Sequence, residues 1–175
     1  MNNNIFEAVK TKSAGVNMKS KQRGAMTTEA MIILGAIVLA VVIIMLKRPD
    51  IVYLMDQSRF SSQASEIADA GLRWKKMRPN YSGVTIAKLC TDKYLPTTVC
   101  GTTNDGKKTN PFGGDWTVDP NTNPALLDVT ATIPNDPERI NDLADYMAPV
   151  TRSRCPESAG CATLTKSGTS IKMTF

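Results

Sequence analysis

The sequence predicts an α+β protein in which one long N-terminal helix packs on an antiparallel sheet within a disulfide-stapled head. Three observations carry this. An apolar run lies near the N-terminus, a helical stripe of large apolar residues follows it, and period-two alternation fills much of the C-terminal third. At 175 residues the chain has room for one globular domain plus an appendage.

The first element is the apolar run. From Ala30 to Leu46 there are seventeen residues without a charged or polar side chain, and reaching back to Ala25 gives twenty-two, interrupted by Thr27, Thr28 and Glu29. As a helix, twenty-two residues span roughly 33 Å, enough for a bilayer core of about 30 Å. The residues before it are basic: Lys10, Lys12, Lys19, Lys21 and Arg23 face Glu7 alone. Most of the net charge of +5 therefore belongs to this leader, so the basic balance requires no nucleic-acid partner. The positive-inside bias keeps the leader cytoplasmic and sends the C-terminal part across the membrane. The run is longer than the apolar core of a secretory signal and is followed by Lys47-Arg48-Pro49, with no small-residue cleavage site.

A plain signal anchor satisfies all of that except Glu29. A carboxylate carried to the bilayer centre costs about 2.5–3.5 kcal/mol, less near the interface, and such a charge is by default functional. The residues Arg23-Gly24-Ala25-Met26-Thr27-Thr28-Glu29, between a basic leader and the apolar run, resemble the processing signal of type IV prepilins. The resemblance implies cleavage after Gly24 by a membrane prepilin peptidase and methylation of the new amine on Ala25. It also implies assembly through pairing of that amine with Glu29 of a neighbouring copy. Removing a lone charge from an apolar medium in this way can set axial register. The sequence departs from the family at Ala25, where such chains usually begin with Phe, Met or Leu.

Next comes the amphipathic half of the helix. Phe60, Ala64, Ile67, Gly71 and Trp74 recur at spacings of four, three, four and three, and the turn-rich run from Arg78 to Gly83 ends it. Pro49 lies between the halves and is expected to kink or locally break the helix, since it lacks an N–H and clashes with the preceding turn. Residues 84–110 read as loop-rich. Asn110-Pro111 favours a turn, and Gly113-Gly114 permits positive φ before a strand at Trp116 and Val118. Ala125, Leu127, Val129, Ala131 and Ile133 share one face of a second strand. Asp136 reads as an N-cap with Pro137 at the first helical position, followed by Ile140, Leu143, Ala144 and Met147 on one helical face. Ala162 and Leu164, a turn over 166–169, then Ile171, Met173 and Phe175 make a terminal hairpin. The apolar sheet face needs a cover, and the stripe from Phe60 to Trp74 supplies it.

Cys90, Cys100, Cys155 and Cys161, with no CxxC and no histidine in the chain, fit disulfides better than zinc and place the head in an oxidising compartment. Short loops close at the lowest entropy, which favours Cys90–Cys100 and Cys155–Cys161; pairing between the clusters stays open. Without histidine a Ser/His or Cys/His triad is impossible, and neither a phosphate-binding loop nor EF-hand spacing occurs, so no enzyme, cofactor or metal is expected.

The run from Trp74 through Asn80-Tyr81, Gly83, Cys90 and the segment from Asn110 to Trp116 to the last cysteines resembles type IVb major pilins of the PilS kind, found on thin conjugative pili. That resemblance implies a leader over 1–24, a membrane and polymerisation helix over 25–52, and a pilin head over 53–175. It implies a homopolymer held first in the inner membrane, handled by the peptidase and assembly machinery, and then carried outside as a pilus. Conjugation, cell–cell contact or adhesion are the roles it suggests. A minor pilin, a type II secretion pseudopilin and an uncleaved membrane-anchored periplasmic protein are the alternatives.

Overall fold

The computed structural model describes residues 28–175, which fall into two compact units divided between Met45 and Leu46. The leader, Gly24 and Ala25 lie outside the described residues. Helix α1 is continuous from Thr28 to Lys75.

In the first unit, residues 28–45 are helical and their large apolar side chains are exposed, Met31, Ile32, Ile37 and Leu39 among them. The helix there follows from a run free of proline.

The second unit begins at Leu46, so Asp50 and Tyr53 belong to it with the head. Pro49 sits inside α1, and of the expected kink or local break the helix shows no interruption at this residue. A proline removes one backbone donor and crowds one preceding turn, and the helix resumes its ladder on both sides. Beyond it, Phe60, Ala64, Ile67, Ala70, Gly71 and Trp74 are buried, the stripe that the spacing predicts plus Ala70. Lys76 closes the helix in left-handed geometry (φ 50°), donating its N–H to the Leu72 carbonyl at 3.3 Å.

The stripe covers a four-stranded antiparallel sheet in the order β1-β2-β4-β3, with β1 Trp116–Pro120, β2 Leu127–Thr132, β3 Leu164–Ser167 and β4 Ser170–Thr174. The C-terminal strand is thus central. Register aligns Trp116 with Ala131, Val118 with Val129, Val129 with Met173, Ala131 with Ile171, and Leu164 with Met173. All of these side chains are buried, as period-two alternation requires. Gly71 lets helix and sheet approach: a Cβ there would lie 2.5 Å from Leu127 Cδ2. Gly168, with φ of 57°, opens the two-residue loop of the terminal hairpin.

Three local expectations change. The loop-rich region holds two short helices, α2 Ile86–Thr91 and α3 Thr97–Cys100. Thr85 caps α2 by accepting from the Lys88 N–H at 3.3 Å, and Ile86, Leu89 and Cys90 bury its inner face. Asp136 caps nothing with its side chain: the chain enters α4 (Ile140–Met147) through a 3₁₀ turn at Pro137–Arg139, and the Asp136 carboxylate pairs with Arg139 at 3.8 Å. Ala125 is exposed in the turn before β2 rather than on its inner face.

Both short-range disulfides are formed, Cys90–Cys100 tying α2 to α3 and Cys155–Cys161 closing the loop before β3. No described cysteine is free.

Candidate functional site

The candidate site is the bare part of α1. Of the described helices, only α1 is long and apolar enough to cross a membrane, a test that signal sequences also pass. Among the described residues nothing buries its most apolar stretch. Ile32 and Leu46 are each 72% exposed, and Ile43, Ile44 and Met45 lie open between them. An uncovered apolar surface of this length needs lipid or another apolar surface against it.

Glu29 stands exposed in the first turn, at the head of this surface. Among the described residues no ion pair involves it. The other processing residues of the sequence reading, Gly24 and Ala25, lie outside the described residues, so the distance between Glu29 and the chain's own amine is not part of this geometry. Pro49 and the four cysteines are placed, but not with Glu29: Pro49 is in the second unit, and the cysteines staple two loops of the head.

Where the bare surface ends, the structure assembles a group that sequence reasoning missed. Arg139, from the turn before α4, reaches Asp50 on α1 at 3.6 Å and Asp136 at 3.8 Å, while its guanidinium lies 4.6 Å from the centre of the Tyr53 ring. Burial raises the Tyr53 phenol above its ordinary pKa; Asp142 and Asp136 push the same way, and Arg139 opposes them. The Tyr53 ring also meets Phe112 at 5.9 Å. The group fastens α1 to the head just past Pro49. Its four polar members come from two segments more than 80 residues apart in sequence, and no local spacing announces them.

A second missed device is Asn110, buried in the head. Its Oδ1 accepts from the Phe112 and Gly114 N–H groups at 2.9 and 3.0 Å, and its Nδ2 donates to the Thr132 carbonyl at 2.8 Å. Gly113 supplies the positive φ (75°) that the sequence predicts. Gly114 is needed for a different reason: a Cβ there would collide with the Thr132 carbonyl oxygen. The Asn110–Trp116 run is therefore a built turn that aims Phe112 and Trp116 at α1.

Among the described residues no group of three or more His, Cys, Asp or Glu side chains is arranged to hold a metal. The arrangement offers surface chemistry: an apolar rod with an acid at its start, held to a disulfide-stapled head.

No protein-family model matches the chain, and neither a curated protein nor a solved structure matches it.

Proposed function

We propose that the chain is a prepilin-like structural subunit, stored in a membrane through the apolar part of α1 and then polymerised through the same surface. The observation that carries this reading is the bare helix itself. A single helix is uncovered and apolar along residues 30–46, begins with a carboxylate, and is stripe-covered by a head from Phe60 onward. Lipid and a bundle of identical helices are alternative burials for such a surface.

In this reading cleavage after Gly24 frees the amine of Ala25, four residues before Glu29. An incoming subunit presents that amine to the Glu29 carboxylate of a neighbour, which removes two isolated charges from an apolar medium and fixes axial register. The head is what the filament shows to its surroundings, with contact between cells, conjugation or adhesion as its role.

The experiment is Glu29→Ala in the full chain. The variant is expected to be cleaved and to enter the membrane as the wild type does, yet to yield at least tenfold fewer sheared filaments. Wild-type filament yield would overturn the pairing mechanism.

A further inference from the structure

The far end of α1 carries a second feature. Residues 70–91 contain Arg73, Lys75, Lys76, Arg78 and Lys88 and not one Asp or Glu. Arg152 is near enough to Tyr81 for its charge to oppose the rise that burial gives the phenol's pKa. Among the described residues none of these six cations pairs with a carboxylate.

Aromatic rings seat three of them, while Arg73 donates to the Tyr94 carbonyl at 2.9 Å, Lys75 also to that of Ala125 at 3.4 Å, and Lys88 to that of Gly83 at 2.6 Å. Lys75 Nζ lies 4.6 Å from the Tyr81 ring centre, Lys76 Nζ 5.9 Å from that of Tyr94, and the Arg78 guanidinium 4.3 Å from that of Trp74. These seats orient the stems and leave the charges at the surface. In their midst is Met77, 99% exposed. The left-handed turn at Lys76 ends the helix there and throws Met77 outward, where it packs on nothing.

We propose that this tip, the segment Arg73–Arg78 with Lys88 and Arg152, docks on an anionic lipid surface, its cations on headgroup phosphates and Met77 entering the acyl boundary. An apolar tip ringed by unpaired cations is the chemistry that an anionic bilayer surface recognises. A nucleic acid fits less well. The rings that could stack on bases are already covered by cations, and Trp74 and Tyr81 are buried. About 45 Å of helix separates Leu46, the last residue of the apolar run, from Lys75.

The test keeps the full chain in nanodiscs of neutral phosphatidylcholine, so that its apolar helix is already occupied, and adds separate vesicles that can be floated. Loaded nanodiscs are expected to float with vesicles rich in phosphatidylglycerol and not with phosphatidylcholine alone, less so as salt rises. Each cation near such a surface contributes about fivefold, so the combined Lys75→Gln, Lys76→Gln and Arg78→Gln variant should lose roughly 100-fold in partitioning. Met77→Ser should lose severalfold with charge unchanged. Intact mass showing both disulfides, and an unchanged circular dichroism spectrum, establish that the variants are folded. Equal flotation with neutral vesicles, or wild-type binding by the triple variant, overturns the proposal. Wild-type binding by Met77→Ser, with duplex DNA displacing the vesicles, would make the tip a nucleic-acid surface instead. None of these readouts requires filaments, so failure here leaves the assembly reading untouched.

Discussion

The rings of Phe60 on α1 and Trp116 on β1 meet at 4.7 Å between centroids, tilted by 30°, and both side chains are fully buried. This contact fastens the covered half of the helix to the sheet. Phe112 extends it, 5.6 Å from Phe60 at a steep angle, and Trp116 closes it by donating its indole N–H to Gln63 Oε1 at 3.1 Å. Three aromatic side chains from two segments over fifty residues apart thus form one joint, with the one polar atom of the indole satisfied.

Trp116→Ala should accordingly destabilise the head by about 3–5 kcal/mol, since it removes a buried aromatic and leaves a cavity between helix and sheet. Gln63→Ala leaves the ring in place and orphans its N–H, so it should cost about 1–3 kcal/mol. Denaturant unfolding of the detergent-held chain, followed by tryptophan fluorescence, measures both. Equal losses for the two variants would contradict a joint made mainly by ring packing.

Gly114→Ala tests the turn that aims Phe112 and Trp116. Its Cβ would strike the Thr132 carbonyl oxygen, a backbone atom that cannot swing aside. The variant should lose about 1–3 kcal/mol, as overpacked sites do. Gly160→Ala is the comparison: its φ is also positive (72°), but nothing lies within 4 Å of the added carbon, so about 1 kcal/mol of backbone strain is expected. The same unfolding measurement ranks the two, and a larger loss at Gly160 would refute the steric account.

Much of the α+β architecture was legible because its signals are local. The period of Phe60–Trp74, the alternation through β2 and the terminal hairpin each repeat within a few residues, and both disulfides join near neighbours in sequence. What stayed illegible depends on distance or on fine geometry. Helix α2 is six residues long, too short for a periodic signal, and rests on one Thr85 cap and burial against the head. Asp136 looks like a cap from its place before Pro137, yet Arg139 competes for its carboxylate. Pro49 looks like a break because the local rule counts one lost donor and not the long helix on either side. In the candidate site the apolar run and Glu29 were readable as a pattern. The Arg139–Asp50–Tyr53 fastening was not, for it exists only once α4 comes back to α1.

Asp145 gives the head a pH dependence. Its carboxyl is held below the ordinary value of 3.8, first by the Ser158 side chain and then by the Ser158 N–H, which donates to Oδ1 at 2.8 Å. A carboxyl whose pKa is lowered by folding adds stability above its unfolded pKa, and that increment is lost as pH falls through the folded value. The contribution should therefore be complete above about pH 4 and fade below it. Asp145→Asn should flatten the acid limb of a melting-temperature profile while leaving most of the stability at neutral pH. An unchanged acid limb would show that the Ser158 bond does not couple to folding.

The central claim is that one apolar helix, trimmed at its start, passes from lipid to a bundle of copies of itself. The most direct measurement is the intact mass of the subunit in filaments sheared from cells and separated from membranes. The account predicts a chain that begins at Ala25, with or without a methyl group on its amine, and carries both disulfides. A chain that keeps residues 1–24 and is found in the membrane fraction alone would contradict it.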